Sequence, residues 1–152
     1  MSFSYPSGWK PQYAGRPMGL RPDLIVALST QRLRAPCRWI DAHSVTCGTP
    51  LMLNTLPRGG VFVVWTRNWS LGGPVPLPSG SGSKTRIGGK PATVALKRGV
   101  RVAEPCSSLG ETESITANVA EGFEMDACAR GVNFTRFEGQ VRATLESVSF
   151  RN

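Results

Sequence analysis

The sequence predicts an α+β domain in which a β-sheet is covered by a C-terminal helix. Glycine and proline are frequent, with 17 and 12 copies in 152 residues, which favours short strands joined by turns over a helical bundle. The apolar runs at 24–28 and 61–65 have the length of strands. Near the C-terminus, apolar side chains recur at helical spacing, at Phe137, Val141, Leu145 and Val148. The length fits one domain spanning 1–152.

The first part of the chain predicts an edge hairpin followed by a buried strand. Residues 1–13 alternate aromatic and small residues around a turn, and Pro6 and Pro11 exclude a central position in a sheet. Trp9 is expected to lie in the core beneath this hairpin. The continuous apolar character of Leu24–Thr30 predicts a strand that is buried on both faces.

The middle of the chain contains the clearest strand and the longest predicted loop. Val61–Thr66 is β-branched or aromatic throughout and predicts a strand, whereas Leu51–Pro57 fits a short helix or a strand. Residues 71–83 are rich in Gly, Pro and Ser, which predicts a mobile surface loop. Trp69 at the root of that loop is a candidate contact residue if it is exposed.

A basic β-hairpin is predicted after this loop. Thr85–Ile87 and Lys90–Leu96 flank a Gly-Gly turn, the signature of a two-residue hairpin. The basic residues in and around it are Lys84, Arg86, Lys90, Lys97, Arg98 and Arg101. They fit either a solvated strand face or a docking surface for a polyanion. The segment interleaves no aromatic residues with its charges, which disfavours a nucleic-acid partner.

The last third of the chain, from Pro105 to Phe150, predicts the scaffold. Glu111–Ala120 reads as a strand and Met125–Ala129 as its return. Thr135–Glu138 matches the S/T-x-x-E capping box, which predicts a helix that begins at Thr135. Val148–Phe150 is expected to form a closing strand.

Cysteine spacing predicts two sequential disulfides, Cys37–Cys47 and Cys106–Cys128. The chain has no C-x-x-C pair and a single histidine, His43, which disfavours zinc. A four-thiolate zinc site and buried free thiols stay open as alternatives. Two disulfides indicate an oxidising compartment outside the cytoplasm. The chain begins without a charged segment followed by an apolar one, so we expect either an intracellular protein or a mature domain that has lost its export segment.

Charge is distributed unevenly along the chain. Through Ala103 the sequence has 14 Lys or Arg and two acidic residues, and after it four and eight, for a net charge of +8. The surplus predicts attraction to anionic partners such as envelope polymers, lipid headgroups or nucleic acid. No apolar run approaches the roughly 18 residues of a transmembrane helix.

The sequence predicts no catalytic residue, no metal site and no cofactor. Asp41, His43 and Ser44 contain the residue types of a catalytic triad, but neighbours in sequence rarely converge as triad members do. His43 is therefore interpreted as a surface histidine.

Several segments resemble known proteins. The start Phe3–Trp9, the hairpin Gly88–Ala92 and the terminal Leu145–Phe150 resemble the PsbP-like fold. That resemblance implies a curved antiparallel sheet with the C-terminal helix, and possibly a second helix, packed on it. Leu56–Trp65 and Ala127–Gly131 resemble motifs of uncharacterised secreted or membrane-anchored actinobacterial proteins. Both resemblances imply a binding or accessory role in the cell envelope and transfer no catalytic residue.

Three classes of function follow from these observations. The first is a non-enzymatic extracytoplasmic binding or accessory domain whose contact surface is the basic hairpin with Trp69. Its partner would be an anionic polymer, a membrane surface or a protein. The second is a structural subunit of a phage or secretion particle, and the third, least favoured by a single histidine and scattered carboxylates, is an enzyme. The oligomeric state is not predicted.

Overall fold

The computed structural model describes residues 1–12, 23–31, 37–39, 45–47, 56–68, 82–99, 106–110 and 112–150. These residues form an α+β fold with nine strands and one α-helix. The elements are β1 (Lys10–Gln12), β2 (Asp23–Ser29), β3 (Cys37–Trp39), β4 (Val45–Cys47), β5 (Gly60–Arg67), β6 (Ser83–Ile87), β7 (Lys90–Arg98), β8 (Glu113–Val119), β9 (Phe123–Arg130) and α1 (Phe134–Glu146).

Seven of the strands form one antiparallel sheet in the order β1-β2-β5-β9-β8-β7-β6. The centre of the sheet is the pair β5 and β9, which align over their full length from Gly60 opposite Arg130 to Arg67 opposite Phe123. The strands β3 and β4 pair only with each other among the described residues. The predicted α+β class, a sheet with a C-terminal helix, is confirmed.

One face of the sheet packs against α1 and holds the larger core. The helix contributes Phe137, Val141 and Leu145, all buried as their spacing predicts, and Val148 follows them. From the sheet come Val63 and the other odd-numbered residues of the central strands, because side chains alternate between faces. These sheet residues are Val61, Val63, Trp65, Ile115, Ala117, Val119, Met125, Ala127 and Ala129. Burying one such large side chain stabilises the fold by about 1.5–3 kcal/mol.

A smaller core lies on the opposite face of the same strands. Phe62, Val64 and Cys128 project there and pack against Leu56 and Leu109. Cys106, just before the short 3₁₀ helix Ser107–Leu109, forms a disulfide with Cys128, and the two Cα atoms lie 5.3 Å apart. The predicted Cys106–Cys128 bond is therefore confirmed, and it fastens the 106–110 segment onto the centre of the sheet.

The second cysteine pair lies in the small hairpin. The register of β3 and β4 places Cys37 directly opposite Cys47. Directly opposed residues of antiparallel strands have Cα atoms about 4.5–5.5 Å apart, a separation that a disulfide can span. The Cys37–Cys47 bond stays a prediction with which this register is compatible.

The start of α1 differs from its prediction. The N-cap is Asn133, whose side-chain oxygen accepts a hydrogen bond from the Arg136 backbone N–H at 3.0 Å, so the helix begins at Phe134 rather than at Thr135. Asn satisfies the free N–H groups of a first turn as well as Thr does. Asn133 and Thr135 are thus two competing N-cap residues, and the helix uses Asn133, which comes two residues earlier.

Both chain ends also differ from their predictions. Residues before Trp9 do not form a hairpin with β1; instead Ser2 bridges Ser149, with backbone hydrogen bonds of 2.9 and 2.8 Å. The predicted closing strand is thus a single bridge outside the main sheet. Pairing the two ends lets Phe3 stack near the buried Trp65, at 5.9 Å between ring centroids. Trp9 is buried as predicted, at 4% exposure.

The remaining strand predictions at 24–30, 61–66, 85–96, 111–120 and 125–129 are confirmed to within a few residues. The loop predicted at 71–83 is described only at its end, where Ser83 already belongs to β6. Trp69, Arg101, His43 and most of 51–57 lie outside the described residues.

Removing the Cys106–Cys128 disulfide should lower the free energy of unfolding by about 3 kcal/mol, since it closes a loop of 22 residues. The measurement is urea denaturation of the Cys106→Ala, Cys128→Ala variant against the oxidised protein. The comparison variant is Cys37→Ala with Cys47→Ala, whose predicted bond would close a loop of about ten residues and contribute about 2.7 kcal/mol on the same chain-entropy model. An unchanged unfolding midpoint in the first variant would contradict the stabilising role.

Candidate functional site

The predicted basic hairpin is present and forms one end of the sheet. Ile87 pairs with Lys90, and the two residues between them, Gly88 and Gly89, have φ of +55° and +81°. Two successive residues with positive φ form the type I′ turn that suits the twist of antiparallel strands. A side chain at Gly88 would also collide with the ring of Phe150, since a Cβ there would lie 2.6 Å from that ring.

Strand alternation divides the predicted basic cluster between two faces. Ala92 and Val94 belong to the core under α1, so the even-numbered side chains of β7 point toward the helix. Lys97 therefore projects away from it. Thr93 and Pro91 do the same, and their partners across the ladder are Lys84 and Arg86. Lys84, Arg86 and Lys97 thus share the face opposite α1, and we call this set the basic face.

Lys90 and Arg98 lie on the helix side and have structural contacts there. Lys90 forms an ion pair with Glu121 and lies 5.4 Å from the ring centroid of Phe150. The Arg98 guanidinium stacks 3.4 Å from the centroid of Phe134. The prediction of one surface containing all of these cations is wrong for Lys90 and Arg98, because a two-residue period sends neighbours in sequence to opposite faces.

The basic face is exposed. Lys84, Arg86 and Lys97 are all exposed to solvent. Arg86 donates from Nη2 to the carbonyl of Gly89 in the turn, which orients its guanidinium. Within the described ranges, Lys84 and Lys97 meet no carboxylate. Adjacent side chains on one face of a strand are about 7 Å apart, so Lys84 and Arg86 form a closely spaced pair of positive charges.

Two carboxylates lie farther along the same face, on β9. Asp126 on β9 accepts a hydrogen bond of 2.8 Å from the Thr116 hydroxyl on β8, directly opposite in the register. Glu124, two residues away, accepts one of 3.2 Å from the Asn68 side chain. Burial raises the pKa of Asp126 to about 6. The negative charge of Glu124 also raises this pKa, whereas the hydrogen bond from Thr116 lowers it. The face therefore changes from acidic at the sheet centre to basic at the β6 edge.

A groove lies on the helix side of the same hairpin. It has a volume of about 570 Å³ and lies between α1 and β6–β7. Its apolar lining includes Val94, Leu96, Ile115 and Leu145, and Leu96 is 39% exposed. Toward solvent the groove is bordered by the helix residues Glu138, Arg142 and Glu146. Glu138 and Arg142 pair with each other at 2.7 Å, one helical turn apart.

The polar centre and the groove were not predicted from the sequence. Thr116 and Asn118 alternate with apolar residues on one strand, as Glu124 and Asp126 do on the next. That alternation is a usable signal for a polar face, but it does not reveal which strands are neighbours. Only the β8–β9 register places Thr116 against Asp126 and Asn118 against Glu124.

The described part of the chain contains no group of three or more His, Cys, Asp or Glu residues placed to hold a metal ion. The helix α1, at 13 residues, is too short and too polar to cross a membrane. Among the described residues no helix is both long enough and apolar enough to do so.

Comparison with known proteins gives no match. No protein-family model matches the sequence, no curated protein is significantly similar to it, and no solved structure matches. The PsbP-like resemblance therefore stays a prediction.

The raised pKa of Asp126 makes a testable contribution to stability. A carboxyl whose pKa in the folded protein is raised above the ordinary 3.8 contributes stability that is fully present below about pH 4. This contribution is lost as the pH rises through about 6. Asp126→Asn should therefore be more stable than the wild type above about pH 7 and lose that advantage near pH 4. Urea denaturation across this range measures the difference.

Thr116→Val provides the control, because it removes the hydrogen bond that lowers the pKa of Asp126. A carboxyl NMR titration should show a midpoint of about 6 in the wild type and a higher midpoint in this variant. An ordinary midpoint for Asp126 in the wild type would contradict the burial effect.

Proposed function

We propose that the chain is a non-enzymatic binding or accessory domain that acts outside the cytoplasm and contacts an anionic partner through the basic face. The observation that carries the proposal is the placement of Lys84, Arg86 and Lys97 together on an exposed face. The non-enzymatic part rests on the sequence, whose single histidine and scattered carboxylates supply no catalytic set.

The sheet supports this role by holding the charges in fixed positions. Lys84 and Arg86 project from a hairpin whose turn is fixed by two glycines, and Lys97 projects from the adjoining strand. Charges on a rigid surface lose less conformational freedom when they bind than charges on a loop. Such a surface attracts anions over about one Debye length, roughly 8–10 Å at moderate salt.

The disulfide supports the proposed location. A Cys106–Cys128 bond buried against the sheet centre is a structural disulfide, and such bonds persist in secreted and envelope proteins but rarely in the cytoplasm. The antiparallel sheet with a C-terminal helix is also compatible with the PsbP-like fold. The finer proposal is thus a PsbP-like accessory protein of the cell envelope.

Binding to anionic partners should depend on the basic face and on salt. We expect Lys84→Thr with Lys97→Thr to weaken binding to polyphosphate or to anionic phospholipid vesicles by about three- to tenfold, since each exposed charge contributes roughly 0.2–1 kcal/mol. The measurement is a titration at several salt concentrations. A DNA duplex serves as the third probe. We expect it to bind only through electrostatic attraction to its phosphates, with no additional affinity over the other polyanions.

The matched control is Lys10→Thr with Arg136→Thr, which removes two exposed cations outside the basic face. This control should leave binding within about twofold of the wild type, because Lys10 lies on the opposite edge strand β1 and Arg136 on α1, both outside the basic face. Binding that ignores salt, or that falls equally in both variants, would contradict the proposal.

A further inference from the structure

The outer edge of β6 is an unpaired strand edge within the described part of the chain. Among the described residues the sheet ends at β6 on this side, and the five residues of β6, Ser83–Ile87, pair only with β7. An edge strand presents a row of backbone N–H and C=O groups that another strand can bind. Its surroundings decide which strand it fits.

The register shows which backbone groups of β6 face outward. A two-residue turn makes its flanking residues a hydrogen-bonded pair, here Ile87 and Lys90. Because such pairs alternate with non-bonded ones, Thr85 and Ser83 also bond to β7. The N–H and C=O groups of Lys84 and Arg86 therefore point away from the sheet.

These positions fix the side-chain pattern of an added strand. In antiparallel pairing, residues that exchange hydrogen bonds with Lys84 and Arg86 lie directly opposite them and project to the same side of the sheet. That side is the basic face, where carboxylates would pair with the two cations. The residue between them projects to the other side, next to Thr85 and the groove lined by Val94 and Leu96.

We propose that β6 binds an extended segment of a protein partner as an eighth strand, in which acidic residues alternate with apolar ones. The inference rests on the proposed function and specifies its partner class. Backbone hydrogen bonds to Lys84 and Arg86 supply the affinity, and the two faces supply the selectivity. The acidic residues pair with the basic face, and the apolar ones extend the hydrophobic lining of the groove.

A second copy of this chain fits the edge less well. Pairing β6 with its own copy brings Lys84 and Arg86 close to the same cations of the partner copy. Like charges opposed across strands are destabilising, and lysine on an edge strand is a common device against such self-pairing. Charge complementarity therefore selects an acidic segment over a homodimer.

The test uses a peptide with neutral, capped ends in which glutamate and valine alternate. The variant Lys84→Thr removes the charge and keeps the outward N–H, whereas Lys84→Pro removes both. The sheet should tolerate this proline, because the N–H of residue 84 faces outward from an edge strand. We expect peptide binding, measured by fluorescence anisotropy, to weaken about two- to fivefold in Lys84→Thr. In Lys84→Pro it should weaken by more than about tenfold, because backbone hydrogen bonds are lost as well.

Polyphosphate binding provides the matched comparison, because it depends on charge alone. It should weaken equally in Lys84→Thr and Lys84→Pro. Equal loss of peptide binding in the two variants would overturn the added strand and leave the basic face intact. Polyphosphate binding that is unchanged in both variants would instead contradict the function proposed above, and normal peptide binding in both would overturn the added strand.

Two measurements on the wild-type protein do not depend on a variant that folds. The amide hydrogens of Lys84 and Arg86 should become protected from exchange when the peptide binds, whereas that of Thr85 should already be protected. A peptide N-methylated at its bonding positions should fail to bind. Failure of the wild type to bind the unmodified peptide would show that the inference is wrong. If Lys84→Thr causes dimerisation and has no effect on peptide binding, the cations only prevent β6 from pairing with a second copy, and the inference is again wrong.

Discussion

The antiparallel pairing of β5 with β9 gives the sheet a centre that is buried on both faces, and the other elements take their positions from it. On one face Val63, Trp65 and Met125 form the floor on which α1 packs. On the other, Phe62 and Cys128 hold the segment that contains Cys106. Because side chains alternate between the faces, a slip of β9 by one residue would turn Glu124 and Asp126 under α1 and remove Met125 and Ala127 from the larger core. The register is therefore strongly specified.

That double burial also explains where charge is tolerated. The smaller core covers only part of its face, so β9 continues into Asp126 and Glu124, which are half-buried and hydrogen-bonded by Thr116 and Asn68. Farther out, β7 and β6 no longer lie between two cores, and one of their faces carries exposed cations. The gradient from paired carboxylates to exposed cations is thus a consequence of distance from the β5–β9 centre.

Sequence reasoning succeeds for local elements and fails for relations between them. The Gly88-Gly89 turn and the helical stripe ending at Leu145 are determined within a few residues, so their patterns predict them. The split of Lys84 from Lys90 also follows from alternation, but only once the hairpin register is fixed. The N-cap at Asn133 depends on competition between adjacent caps. The contact of Thr116 with Asp126 requires knowing which strands are neighbours, and no local pattern contains that information.

The two edges of the sheet differ in a way that bears on partner binding. β1 is three residues long and contains Pro11, which lacks an N–H, so it offers little to an incoming strand. β6 is longer, contains no proline, and points complete peptide groups outward at Lys84 and Arg86. Cations at these positions oppose pairing with a like strand and favour pairing with an acidic one. In the proposed complex the same two side chains both limit self-association and select the acidic partner.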